Sequence, residues 1–141
     1  MTKAGAPKLA KTSYVALADF RYALRRFFAF SEREAGNAGL TPQQYQALLA
    51  IKGARERDGL GIGDIAERLM IRHHSAVELV NRLENSGLVT RAKDKADARR
   101  VIVHLSAKAE RIMNTLAGAH LRGLKGIRPV LEQLFSQFDQ A

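Results

Sequence analysis

The chain has 141 residues, enough for one domain with a buried core, and its 23 Lys and Arg against 14 Asp and Glu give a formal net charge of +9, which favours a polyanionic partner. It contains no cysteine, so disulfides, thiolate metal sites and a cysteine redox switch are excluded. No run approaches the roughly 20 apolar residues needed to span a bilayer, and Lys3, Lys8 and Lys11 are not followed by a signal-peptide core, so a soluble cytoplasmic protein without membrane contact is expected.

Residues 1–11 are small and polar and read as a mobile arm. A long helix is predicted from about Thr12 to Ala35, with Leu17, Phe20, Leu24, Phe27 and Phe28 on one face and a break at Gly36-Asn37 and Gly39. Thr41-Pro42-Gln43-Gln44 opens a second helix, with Thr41 as N-cap, Pro42 in the first turn and Gln44 at the capping-box position. Tyr45, Leu48 and Leu49 continue it toward Gly53, and the charged, glycine-containing stretch Ala54 to Gly61 reads as a solvated loop.

Ile62, Ile65, Ala66 and Leu69 then form one stripe of a short amphipathic helix. The next helix runs through Ser75–Leu83 and stops at Asn85-Ser86-Gly87, a left-handed C-terminal cap. On its wheel Ala76, Val77, Val80 and Leu83 share the inward arc, while His74, Ser75, Glu78 and Arg82 share the outward one, with Asn81 and Leu79 at its edges. Two β-rich runs follow, Leu88 to Ala92 and Val101 to Leu105, around a polar tip from Lys93 to Arg100. In the second run Val101, Val103 and Leu105 alternate with Ile102 and His104, the pattern of a half-buried strand. Ser106 caps a fifth helix carrying Ile112, Leu116 and Ala119, and Pro129 starts a last short one with Leu131, Leu134, Phe135 and Phe138.

A helix pair with a cationic β-ribbon defines the expected fold class, mainly α: a winged helix-turn-helix with a small β-hairpin wing. Its candidate contacts on the second helix are His73, His74, Ser75, Glu78 and Arg82, where a histidine, a glutamate or an arginine can each meet a base edge or a phosphate. Glu78 and Arg82 are also four apart and can pair with each other. On the wing the candidates are Arg91, Lys93, Lys95, Arg99 and Arg100, with Asp97 placed to fix the Arg99 guanidinium by a bidentate contact. Charge by itself does not single out this region, because residues 61–105 hold eight basic and six acidic side chains while residues 1–39 hold seven and three.

Of the outer helical segments, 1–39 and 106–141, the first helix carries more large apolar side chains than the small winged-helix core of residues 40–105 needs, and the C-terminal helix is too short to be stable alone. They are therefore expected to be dimerisation helices of a homodimer within one domain spanning 1–141. A metal-responsive reading would use His73, His74, His104 and His120, but adjacent helical histidines point about 100° apart and do not chelate as an i, i+4 pair does. No phosphate-cradling loop, nucleophile elbow or carboxylate pair marks an enzyme, and no cofactor is expected. A winged helix serving only as a protein–protein module is the other alternative, which steep salt dependence would argue against.

Leu40-Thr41-Pro42-Gln43-Gln44, Ile65-Ala66-Glu67-Arg68-Leu69, Ser75-Ala76-Val77, Leu83 through Arg91, Asp94, Asp97-Ala98-Arg99-Arg100 and Val103 through Lys108 resemble, in order and spacing, the MarR family of bacterial transcriptional regulators. The resemblance implies a homodimer on a pseudo-palindromic double-stranded DNA operator, in repression with release by a small aromatic or anionic effector, for whose cleft Arg25, Phe28 and Tyr45 are the candidates. It also implies that Arg99 enters the minor groove, braced by Asp97. The family's Thr-x-Lys-Gly opening of the fifth helix stands here as Ser106-Ala107-Lys108-Ala109, and Glu78 replaces a more usual threonine or arginine.

Overall fold

A computed structural model describes residues 5, 6, 8–55 and 58–140. The arm expected over residues 1–11 falls in part outside the described residues, as do Glu56 and Arg57 of the expected loop. In chain order the elements are α1 (Lys11–Asn37), α2 (Pro42–Lys52), β1 (Leu60–Gly61), α3 (Ile62–Leu69), α4 (His73–Asn85), β2 (Val89–Lys93), β3 (Val101–Leu105), α5 (Ala107–Gly123) and α6 (Arg128–Phe135), with 3₁₀ turns at Lys125–Ile127 and Phe138–Gln140. No described helix is long and apolar enough to cross a membrane.

The chain divides into two compact units, Glu32–Ala119 and a second formed by Met1–Ser31 with His120–Ala141. The boundary differs from the expected 40–105 winged helix because Ala35 of α1 and Ala109, Met113 and Leu116 of α5 belong to the winged-helix core.

In that unit Leu48, Ile51, Ile65 and Leu83 are fully buried, each stabilising the fold by about 1.5–3 kcal/mol relative to exposure. Local chemistry sets the element ends. Thr41 Oγ1 accepts from the Gln44 amide at 3.1 Å and Gln44 Oε1 accepts from the Thr41 amide at 3.0 Å, the reciprocal cap expected from the sequence. Gly87, at φ +72°, ends α4 and the Leu88 amide bonds back to the Leu83 carbonyl at 2.9 Å. The turn between α3 and α4 is made differently: Met70 holds φ +56°, a left-handed conformation rare outside glycine, with its side chain 92% exposed.

The sheet is antiparallel in the order β1-β3-β2, Leu60 pairing with Val103 and Arg91 also opposing Val103. Two expectations change here. The loop expected over Ala54–Gly61 ends in β1, which makes β3 a central strand, and Ile102 and Val103 are both buried instead of alternating. Gly59 lies so close over β3 that a Cβ there would stand 2.5 Å from the Val103 carbonyl oxygen and 2.7 Å from Ile102 Cγ2. On α4 the inward row is Ala76, Leu79, Val80 and Leu83, with Val77 only half-buried, so the inward arc is rotated toward Leu79.

In the other unit His120 is buried, its Nε2 sharing a 2.8 Å hydrogen bond with Ser31 Oγ while Phe27 and Phe30 meet its ring edge-on at 5.8 and 5.6 Å. Ser13 Oγ donates to Gln137 Oε1 at 2.9 Å.

Candidate nucleic-acid interface

Burying Ala76, Leu79, Val80 and Leu83 leaves the opposite side of α4 open. His73, His74, Glu78 and Arg82 are exposed there and Ser75 is half-buried. Glu78 and Arg82 form no ion pair with each other, so neither is committed to its neighbour. The start of α4 is not capped by a side chain, which leaves amide donors at the positive end of the helix for an incoming phosphate.

The wing loop is organised by its aspartates. Asp94 Oδ1 accepts from the Ala96 amide at 3.0 Å, and the Asp94 amide donates to the Arg100 carbonyl at 2.9 Å. Asp97 Oδ1 accepts from the Arg99 amide at 3.1 Å and from Arg99 Nε at 3.3 Å, and the Asp97 carbonyl accepts from the Arg100 amide at 3.0 Å. The Asp97–Arg99 contact expected as bidentate is therefore made through Nε alone, because the same oxygen also holds the backbone. Arg99 keeps its side chain 92% exposed, with the outer nitrogens of its fork free to meet an anion. Lys93, at the end of β2, and Lys95, on the loop, are exposed.

Arg91 and Arg100 are used differently from the tip residues. Arg91 turns back from β2 onto α4, where its Nη2 donates to Asn81 Oδ1 and its Nε lies 3.4 Å from Glu84 Oε2. It fastens β2 to α4, a role the sequence shows only as one more basic residue. Arg100 Nη2 donates to Asp64 Oδ2 on α3 at 3.4 Å. Ser106 adds a further tie: its Oγ donates to the Gly87 carbonyl at 2.7 Å and accepts from the Ala109 amide at 3.2 Å, joining the end of α4 to the start of α5. The Ser106 capping expected for the fifth helix is thus present, and it also holds the turn that follows α4.

Of the candidate effector residues, Tyr45 belongs to the winged-helix unit and Arg25 and Phe28 to the other. Tyr45 is buried in the winged-helix core, and that burial raises its phenol above the ordinary value of 10.0. Arg25 and Phe28 lie exposed on α1 in the other unit. Tyr45 occupies the interior because Tyr45, Leu48 and Ile51 follow the helical repeat that packs α2. Among the described residues no three His, Cys, Asp or Glu side chains gather as a metal site.

A helix pair leading into an exposed basic hairpin, tied together inside one unit, defines a winged helix-turn-helix protein. The sequence profile of the MarR family matches residues 38–100, and the chain belongs to that family. It is 31% identical over 134 residues to the HTH-type transcriptional regulator TtmR of Methylorubrum extorquens, covering 90% of this chain and 64% of that one. It is 30% identical over 88 residues to the transcriptional activatory protein BadR of Rhodopseudomonas palustris, covering 62% of this chain and 50% of that one. This chain thus spans between half and two thirds of these curated relatives. A solved MarR family protein from Bacillus stearothermophilus shares the fold with a TM-score of 0.72 at 22% identity, covering 94% of this chain and 97% of that one.

Proposed function

We propose that this chain is a sequence-specific double-stranded DNA-binding transcription regulator acting as a homodimer. The observation that carries the reading is the mechanical union of α4 and the wing. Arg91 ties β2 to Asn81 and Glu84, while His74, Glu78, Arg82 and Arg99 stay exposed on the tied elements. Such an arrangement offers base-reading groups and phosphate-reading cations from one body. Membership of the MarR family supports the same conclusion. The homodimer rests on the apolar side chains left open in the unit of the two chain ends, Phe28, Leu121 and Phe135 among them. In this reading the half-sites lie about one helical turn, 34–36 Å, apart.

The test is duplex binding selected from random fragments and measured across salt. Binding should tighten for a two-fold operator, and log K should fall steeply with log salt. Arg99→Ala is expected to weaken binding and to flatten that slope by about 0.9, the value for one neutralised phosphate. Changing His74 or Glu78 should alter sequence preference more than slope. Salt-independent attachment to a protein partner, with no duplex bound, would move the function to a protein–protein module. Sedimentation as a monomer at micromolar concentration would remove the two-fold operator.

A further inference from the structure

Beside β1, on the winged-helix unit, a cleft of about 370 Å³ is lined by Arg55, Arg68 and Arg100 over a floor of Ala50, Ala54 and Leu60. Asp64 is the one carboxylate at its wall among the described residues. Its pairing with Arg100 is loose, 3.4 Å between half-exposed groups, and among the described residues neither Arg55 nor Arg68 has an ion-pair partner. Among the described residues, three guanidinium forks face one carboxylate, an excess of positive charge in a concavity. Planar forks match the two oxygens of a carboxylate or phosphate better than a single ammonium does. The small apolar floor admits a short hydrocarbon body.

We propose that this cleft is a binding site for a small free anion, a short di-acid or a phosphorylated metabolite, and that its occupancy is read out through Arg100. The backbone of Arg100 closes the wing loop, its amide on the Asp97 carbonyl and its carbonyl on the Asp94 amide. Asp97 in turn holds Arg99. An anion that draws the Arg100 side chain off Asp64 therefore acts on the base of the loop that aims Arg99. It also removes a cation from those open to duplex phosphates. Binding of the anion and of DNA is thus antagonistic. That second half rests on the DNA-binding function proposed above; the binding site itself does not.

The experiment is a titration of the ¹⁵N-labelled full chain, without DNA, by sodium phosphate and separately by sodium succinate, with ionic strength held constant by sodium chloride. Saturable shifts are expected at the amides of Leu60, Gly61 and Arg100. Arg68→Ala, an exposed substitution, should lower the affinity about tenfold. Lys125→Ala, which removes the same charge in the other unit, should leave it unchanged. A second arm measures duplex affinity, and phosphate or succinate should weaken it more than chloride at equal ionic strength. Shifts that never saturate, or that are the same in Arg68→Ala, overturn the site. If Arg68→Ala instead weakens duplex binding in chloride and lowers the salt slope by about 0.9 while free anions fail to saturate, the cleft seats a DNA phosphate and the small-anion proposal falls. A chain that binds no DNA at all still yields the first titration, so the two failures are told apart.

Discussion

In the unit Glu32–Ala119 most large apolar side chains are inside, with Leu48, Ile51, Ile65, Leu83 and Val103 closed off from water and Leu49, Met70 and Val101 the exposed exceptions among the described residues. In the unit of the two chain ends the same kinds of residue stand open: Tyr14, Leu17, Tyr22, Phe28, Leu121, Phe135 and Phe138 are all exposed. The first unit satisfies its hydrophobic driving force alone, and the second leaves much of it unspent on the surface. In the proposed function the DNA-contacting elements and the association surface thereby fall in different segments, so substitutions should separate folding from association.

The sharpest form of that separation pairs Leu83→Ala with Phe135→Ala. Leu83 is fully buried, and its truncation should cost about 2–5 kcal/mol of unfolding free energy, equal at every protein concentration. Phe135 is 55% exposed. Its truncation should leave dilute chain nearly as stable while weakening association, seen as a midpoint that rises less with protein concentration. Equal losses in dilute solution would erase the distinction between the units.

Two glycines carry the comparison to smaller effects. A Cβ at Gly59 runs into the Val103 carbonyl, a backbone atom that cannot turn aside, so Gly59→Ala should cost about 1–3 kcal/mol. At Gly123 the obstacle is the Phe30 ring, with Cε1 at 2.7 Å. A ring can swing, and alanine favours the helix, so Gly123→Ala should cost under about 1 kcal/mol. Chemical denaturation of both variants decides the order, and the reverse order would place the tighter packing in the terminal unit.

The elements legible in the sequence are those whose signal is local. Thr41 and Gln44 sit three apart and cap each other, Gly87 supplies a left-handed stop, and the i, i+3, i+4 rows of α2 and α3 announce their buried faces. What escaped depends on partners far along the chain. β1 is two residues long and carries no periodicity of its own; it exists because Leu60 and Gly61 find β3. That pairing puts Ile102 under the backbone at Gly59, so the alternation read into Val101–Leu105 fails. Arg91 looks like any wing cation until Asn81 and Glu84 are brought to it. The exposed candidates His73, His74, Glu78, Arg82 and Arg99 were legible as surface groups, whereas the anion cleft needed Arg55, Arg68 and Arg100 from three separate elements.

A smaller effect is expected at Met70, a large apolar residue that the winged-helix unit does expose. Its exposure follows from the tight α3–α4 turn. Met70→Gly removes the left-handed strain, worth roughly 1–2 kcal/mol, but returns part of it as unfolded-state entropy. A net gain below about 1 kcal/mol is expected, without change in association. If Met70→Gly shifts the association constant as Phe135→Ala does, exposed apolar residues in the two units serve the same purpose and the comparison fails.

The smallest effect concerns Tyr45, the tyrosine of the winged-helix unit, and is confined to alkaline solution. Burial disfavours the phenolate, so the folded-state value lies above the unfolded 10.0. The unfolded chain then releases its proton first. Stability from this group is present in full below pH 10 and is lost as pH rises from there through the folded value. Tyr45→Phe should flatten this part of the decline in unfolding free energy above pH 10, whatever its constant offset at neutral pH. Because the residue lies within the self-contained core, the flattening should be the same in dilute and concentrated protein. An unaltered alkaline slope in the variant would show the phenol to be solvated, and with it the interior of the winged-helix unit to be less closed than Leu48 and Ile51 imply.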